Sequence, residues 1–167
     1  IVLRRALPSR ALRTVGAWCF LDHAGPAQFG PGQGMHVGPH PHIGLQTFTW
    51  MIEGELLHRD SLGNEQRIRA GQVNLMTAGC GIVHSEDQVQ DGGALHAAQM
   101  WIALPDAERQ RAPAFQRQRR RRPGAIRFRS LPFLFYVGLI EGPSRCAAIL
   151  FAIPYLPSAE RQVPGAI

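Results

Sequence analysis

Four residues in two short motifs could together bind a metal ion. One residue separates His40 from His42, and one separates His84 from Glu86. On a β-strand, residues two positions apart point to the same face. If both motifs lie on inward-facing strands, three imidazoles and one carboxylate converge, a donor set that suits Fe, Mn, Ni, Cu or Zn. Such a metal would keep coordination positions open for water, oxygen or substrate.

The spacing alone leaves a simpler interpretation open. A pair of histidines separated by one residue is a weak signal, since most surface histidines bind nothing. The context favours a site, because all seven histidines lie within the first 96 residues and both motifs border strand-like runs interrupted by glycine. At this point a metal site and ordinary polar side chains are both compatible with the pattern.

Composition limits the class of protein. A chain of 167 residues is typical of one domain, or of one domain with a remnant of another, and a 45% hydrophobic fraction is enough for a core. Three cysteines without regular spacing argue against a disulfide scaffold and predict an intracellular, cytoplasmic chain. We see no signal peptide and no apolar run of the roughly 18 residues that a membrane helix needs, so we expect no membrane association.

The net charge of +6 is unevenly distributed. Residues 1–108 hold 7 arginines and 10 acidic residues, whereas residues 109–167 hold 11 arginines and 2 acidic residues. Nine arginines lie between positions 109 and 129, and like charges at this density disfavour compact packing. We interpret residues 109–130 as a solvated, arginine-rich linker. We do not expect it to contact nucleic acid, because few aromatic residues accompany the arginines.

Periodicity in the first hundred residues predicts an all-β fold. Leu45–Glu53 alternates between two faces, and strand-like segments recur every 8–12 residues, as in a sandwich or barrel. In contrast, residues 24–44 hold six glycines and four prolines and predict a long irregular loop. After the arginine run, the apolar stretches 131–140 and 146–153 could pair as a hairpin.

Several segments, in matching order and spacing, resemble the pirin family, a branch of the cupin superfamily. The resemblance spans residues 2–115 and implies a jelly-roll (double-stranded β-helix) cupin barrel with a metal site. By this resemblance the metal ligands are His40, His42, His84 and Glu86, the same four that strand geometry selects. The matching segments are FLDH at 20–23, HPHIGLQT at 40–47, EGE at 53–55, HRDSLGN at 58–64 and MTAGCGIVHSE at 76–86.

The resemblance also sets expectations about the second half of the chain, because pirin-like proteins carry two cupin barrels. We predict a metal-binding cupin over residues 1–108, the linker over 109–130, and a remnant of the second cupin over 131–167. The second barrel should therefore be absent or incomplete. A truncated divergent member, a pseudogene or a reading-frame slip near residue 116 would each explain the change in composition.

Two functions follow from the resemblance. Some pirin-like proteins cleave the flavonol quercetin with dioxygen, and others are metal-dependent transcriptional co-regulators. Our leading hypothesis is a quercetin 2,3-dioxygenase-type oxidoreductase that holds Fe(II) and takes dioxygen and a small aromatic substrate. Glu86 would also act catalytically, by accepting the proton of a substrate hydroxyl. The alternatives are a non-catalytic regulatory module that binds a protein partner, and a non-functional remnant.

Other residues near the two motifs are weaker candidates for a functional role. His23 and His58 lie in family-like segments and could line a substrate cavity, although a hydrogen-bonded structural histidine is the simpler interpretation. Cys80 could bind metal, but its position in a glycine-rich turn argues against it. Ile43 and Gln46 stand where family members usually have arginine and glutamate; Gln46 should point away from His42, so metal binding should survive this change.

Overall fold

The structure is a computed structural model in which the described residues are 1–119, 124–126, 133–140 and 147–154, with side chains described as far as Arg117. The chain divides into two compact units, Ile1–Arg119 and Arg120–Ile167. All elements of the described residues are strands, so the predicted all-β class is confirmed. Among these residues, no helix is long and apolar enough to cross a membrane.

The first unit is a sandwich of two antiparallel sheets. One sheet has six strands in the order β1-β2-β9-β4-β7-β10, and the other has four in the order β3-β8-β5-β6. This is the jelly-roll arrangement expected of a cupin. The strands are β1 (Leu3–Leu7), β2 (Trp18–Phe29), β3 (His36–His42), β4 (Leu45–Glu53), β5 (Glu55–Asp60), β6 (Glu65–Arg69), β7 (Gln72–Thr77), β8 (Ile82–Gln88), β9 (Gly93–Ala103) and β10 (Ala114–Arg119).

An apolar cluster joins the two sheets. Met51 and Leu95 come from the six-stranded sheet, Leu56 and Ile68 come from the four-stranded sheet, and none is more than 1% exposed. Burial of each such side chain contributes about 1.5–3 kcal/mol to folding. The cluster therefore holds the sheets together, while buried polar residues occupy other inward-facing positions of the same strands.

The segment from residue 24 to 44 is not the irregular loop that its composition predicts. Strand β2 continues to Phe29, with a shift of register around Gly25 and Pro26, and β3 begins at His36. Strand β3 contains two prolines, yet it lies at the edge of the four-stranded sheet, where one side of the strand needs no hydrogen-bond donors. The glycine and proline content therefore marks a bulge and an edge strand.

The second unit contains a three-stranded sheet of β11 (Gly124–Ile126), β12 (Phe133–Ile140) and β13 (Ala147–Pro154). Strands β12 and β13 pair antiparallel along their full length, which confirms the predicted hairpin. The described residues of this unit form one sheet and no closed barrel. That it is the remnant of a second cupin stays a prediction.

Strand β10 extends the first unit into the arginine-rich segment. It pairs antiparallel with β7, from Ala114 opposite Thr77 to Arg119 opposite Gln72. The first unit therefore ends at Arg119, beyond the predicted boundary at residue 108. The division of the chain into a metal-binding part, a linker and a remnant stays a prediction, and β10 is a structural addition to it.

The tight connection between β4 and β5 permits a test of this architecture. Gly54 has a φ of +87°, and a Cβ there would lie 2.4 Å from the carbonyl oxygen of Ala94. Gly63 has a φ of +83°, but a Cβ there would meet nothing within 4 Å. We expect Gly63→Ala to lower the free energy of unfolding by about 1–2 kcal/mol through the left-handed backbone alone. Gly54→Ala should lower the free energy of unfolding clearly more than Gly63→Ala does. Equal decreases for the two variants in urea denaturation would contradict the close packing at Gly54.

Candidate metal centre

The two histidine motifs meet because β3 and β8 pair directly. His40 lies opposite His84 in the antiparallel register, and their ring centroids are 4.4 Å apart. The His42 ring lies 4.9 Å from that of His40 and 5.0 Å from that of His84. The Nε2 atoms of His42 and His84 are separated by 3.1 Å. The three imidazoles thus form one cluster inside the sandwich.

Among the described residues, two overlapping groups of side chains have the geometry to hold a metal ion. The first is His40, His42 and His84, and the second is His58, His84 and Glu86. In each group the ligand atoms lie within 4.8 Å of one another. All four residues selected from the sequence are therefore present in this region. His58, which was only a substrate-cavity candidate, joins them, and His84 belongs to both groups.

The electrostatic environment keeps the buried imidazoles neutral. Burial lowers the pKa of His42 to about 4, helped by the nearby His40. Burial also lowers the pKa of His84 to about 3, with further contributions from His40, His58 and His42. The pKa of His58 is lowered by burial as well, against the opposing effect of Asp60. Neutral imidazoles have the lone pairs that a metal requires.

Glu86 is a buried carboxyl group with one direct polar neighbour from the other sheet. Burial raises its pKa, while a hydrogen bond from Thr49 and the proximity of His40 act in the opposite direction. Thr49 Oγ1 lies 3.3 Å from Glu86 Oε1 and 2.6 Å from Gln99 Oε1. One hydroxyl hydrogen serves only one oxygen. If the Gln99 amide is turned over, Gln99 donates to Thr49 and Thr49 donates to Glu86.

A stack of side chains on the six-stranded sheet supports the His42 ring. Trp101 contacts it edge to face at 5.1 Å, and Phe20 stacks on Trp101 at 4.0 Å. Arg5 covers Phe20 at 4.5 Å and is held by two hydrogen bonds to Asp22, each 2.8 Å. Nothing in a single sequence indicates that Trp101, among the aromatic residues, lies beside a candidate ligand.

The remaining candidate residues lie outside the two groups of possible metal ligands. His23 on β2 contacts His96, with their Nε2 atoms 2.5 Å apart, and neither residue belongs to the two groups. Cys80 is exposed and is absent from both groups. Gln46 is fully buried, and its side-chain nitrogen donates a hydrogen bond to Thr77 Oγ1 at 2.8 Å. Because Thr47 and Thr49 share one face of β4, Gln46 lies on the opposite face.

An apolar cavity has His42 in its wall. Its volume is about 370 Å³. Ile43 and Val83 on its rim are 64% and 43% exposed, so it opens to solvent. The lining is completed by Pro41, Ser61, Gly81 and Ile82.

Orphaned polar groups lie close to the cluster. The side-chain amide of Asn74, opposite Thr49 on β7, has no hydrogen-bond partner for either its nitrogen or its oxygen among the described residues. The indole Nε1 of Trp101 likewise has none. Buried polar atoms of proteins are nearly always paired with protein, water or ligand. The interior beside the histidine cluster therefore offers hydrogen-bonding groups to water or to a polar ligand.

The jelly-roll sandwich with a histidine and carboxylate cluster between its sheets defines a cupin. The model of the family described as "Pirin" matches residues 1–102, well over half of the chain. This chain belongs to the pirin family. The match includes all the strands that carry the cluster and ends before β10.

Relatives of known name support the same placement. A Pseudomonas aeruginosa protein named "Putative quercetin 2,3-dioxygenase" is 69% identical over 115 residues, which cover 69% of this chain and 36% of the relative. A "Pirin-like protein" of Caulobacter vibrioides is 48% identical over 116 residues, covering 66% of this chain and 40% of the relative. The chain thus spans less than half the length of these two relatives.

Solved structures give the same result. The crystal structure of a quercetin 2,3-dioxygenase from Acinetobacter baumannii has 52% sequence identity and a TM-score of 0.70, covering 86% of this chain and 46% of that one. The Escherichia coli pirin YhhW in complex with nickel(II) has 26% identity and a TM-score of 0.65, covering 82% of this chain and 64% of that one.

Proposed function

We propose that the first unit binds one divalent transition metal through His40, His42, His84 and Glu86. The observation that carries this proposal is the cluster of His40, His42 and His84 on β3 and β8, with the buried Glu86 carboxyl group within 4.8 Å of a His84 ring nitrogen. A carboxylate buried without a countercharge is costly, and a cation in this cluster would offset that cost. Nitrogen and oxygen donors of this kind suit iron, manganese, nickel, copper and zinc.

Among these metals we propose Fe(II) as the working ion. The donor set itself does not select iron. The choice rests on the dioxygen chemistry indicated by the names of the similar proteins from P. aeruginosa and A. baumannii. The nickel complex of the E. coli pirin supports a divalent ion in this family but not iron in particular.

We further propose that the protein is a quercetin 2,3-dioxygenase-type oxidoreductase acting on a flavonol or a related aromatic substrate. When bound, the metal would supply Lewis acidity and open coordination positions. The open cavity beside His42 would hold the aromatic rings against its apolar lining.

Glu86 has a second role in this proposal, as the acceptor of a proton from a substrate hydroxyl. A general base must lie within hydrogen-bond reach of the proton that it accepts; burial raises the pKa of the Glu86 carboxyl group in the metal-free protein. Thr49 positions Oε1 by donating a hydrogen bond to it. A cytoplasmic location remains our expectation from the cysteine content.

The activity can be tested by oxygen uptake with quercetin after anaerobic loading with Fe(II). We expect uptake by the unchanged protein and loss of at least about 100-fold with Glu86→Gln, because the variant has neither the anionic ligand nor the base. Asp87→Asn is the matched control, since Asp87 is the next residue of β8 and pairs instead with Arg59. If iron-loaded protein consumes no oxygen with quercetin or catechols, the dioxygenase proposal fails and a regulatory, protein-binding role becomes the better account.

A further inference from the structure

A row of three side chains extends from the cluster into the four-stranded sheet. His84 Nδ1 lies 3.4 Å from His58 Nδ1, and His58 Nε2 lies 2.9 Å from Asp60 Oδ2. The backbone sets this order, because β5 and β8 pair with Asp60 opposite His84 and His58 opposite Glu86. The His58 and Asp60 side chains are only 2% and 0% exposed, so no bulk water intervenes.

Asp60 begins this row as a fixed acceptor. Its Oδ1 accepts hydrogen bonds from the backbone nitrogens of Leu62 at 3.0 Å and Asn64 at 3.2 Å. The Asn64 side-chain nitrogen lies 3.0 Å from each carboxylate oxygen. A carboxylate surrounded by donors in this way stays ionised and accepts only. The nitrogen of His58 that faces it, Nε2, must therefore carry the hydrogen.

The hydrogen on His58 Nε2 determines the role of His58 Nδ1 and, through it, the tautomer of His84. A neutral imidazole has one N–H group and one acceptor nitrogen, so a hydrogen on His58 Nε2 leaves Nδ1 as the acceptor. Nδ1 of His58 then receives the hydrogen of His84 Nδ1. Nε2 of His84 is left with a free lone pair, and this is the atom that lies 3.1 Å from His42 Nε2, within the cluster.

Strand β10 fixes the middle of the row. The Phe115 ring stacks on the His58 ring at 4.4 Å with an interplanar angle of 22°. This contact restrains rotation of the imidazole and keeps Nδ1 directed at His84. Phe115 lies beyond the part of the chain that matches the family model, so the row depends on a strand outside that match.

We propose that Asp60 and His58 are positioning residues that select the tautomer of His84 and so present its Nε2 to the metal. This inference rests on the proposed metal site. It treats His58 as a partner of a ligand and not as a ligand, although His58 also stands in the second of the two candidate groups. Groups that orient metal-bound histidines in this manner typically change metal affinity about 10–100-fold.

The direct test is nitrogen-15 NMR of the histidine side chains, which reports the protonation of each imidazole nitrogen. In the metal-free protein we expect hydrogen on His84 Nδ1 and on His58 Nε2. Adding zinc should shift His84 Nε2 strongly and leave both nitrogens of His58 in place. A hydrogen on His84 Nε2 in the metal-free protein, or a direct zinc shift on His58, would overturn the inference.

Zinc affinity of variants provides the second test. His58→Gln keeps an acceptor for His84 Nδ1, whereas His58→Leu offers similar bulk against Phe115 without one. We expect the leucine variant to bind zinc about 10–100-fold more weakly and the glutamine variant to recover most of that loss. Equal affinities of the two variants would mean that His58 acts only by packing, and the inference would fail.

Asp60→Asn probes the start of the row. The amide can donate to His58 Nε2 and so permit the wrong tautomer, and we expect weaker zinc binding with a mixture of His84 tautomers. The control is Asp87→Asn, because Asp87 forms the corresponding pair with the exposed His36 outside the cluster. If D60N keeps the wild-type affinity and tautomer, Asp60 does not position His84 and the inference fails. If the unchanged protein binds no zinc, the proposed metal site fails, and the metal-free tautomers still decide the inference.

Discussion

Replacement of His84 by alanine should abolish metal binding in the micromolar range. His84 belongs to both candidate groups, so its loss leaves neither group with three donors. Loss of an outer partner of a ligand typically weakens metal binding by about 10–100-fold, and loss of a ligand itself should exceed that. We therefore expect an affinity for zinc or Fe(II) at least about 100-fold lower, and loss of any oxygen uptake with quercetin.

Metal content after dialysis and quenching of tryptophan fluorescence would measure this effect, since Trp101 contacts His42. His36→Ala is the matched control, because His36 lies on the same strand as His40 but is exposed and paired with Asp87. Urea denaturation should accompany both measurements to show that the alanine variant is folded. A folded His84→Ala protein with unchanged metal affinity would refute the proposed ligand set, whichever group is considered.

Local pattern was enough to predict the centre of the fold. Strand β4 occupies the range that alternation indicates, Leu45–Glu53, and the hairpin of β12 and β13 follows two apolar runs. The i, i+2 spacing predicted that His40 and His42 share a face, and pairing with β8 brings them to His84. These features depend on neighbours in sequence or on one strand pair, which is the range that periodicity describes.

The rest of the site depends on contacts between distant residues. Thr49 lies 37 positions from Glu86, and His58 lies 26 positions from His84. A threonine within a buried strand, or an aspartate at the end of a strand, has an ordinary local role in a single sequence. Their partnership with the cluster appears only when the register of β4, β5 and β8 is known.

Charged composition and backbone pairing coexist in the segment that follows residue 108. The arginines after residue 108 indicate a solvated linker, yet Phe115 of β10 stacks on His58. A strand at a sheet edge can carry charged side chains on its outer face while its backbone pairs. The arginine run and the strand are therefore compatible, because side-chain charge and ladder formation involve different atoms.

Removal of β10 should accordingly weaken both the fold and the metal site. We compare a chain that ends at Pro113 with one that ends at Arg119. The shorter chain loses the ladder to β7, and each backbone hydrogen bond contributes about 0.5–1.5 kcal/mol. It also exposes the buried strand β7 and uncovers His58. We expect its free energy of unfolding to be lower by at least about 2 kcal/mol, measured by urea denaturation.

The longer chain is the control, because it lacks only the second unit. Phe115→Ala in the full chain separates the ring contact from the ladder, since alanine keeps the backbone pairing. If β10 acts through both the ring contact and the backbone ladder, Phe115→Ala should weaken zinc binding. It should also lower the free energy of unfolding by less than the deletion does. If the chain ending at Pro113 matches the longer chain in stability and zinc affinity, β10 is dispensable, and a metal-binding part that ends near residue 108, as composition predicts, would be the better description.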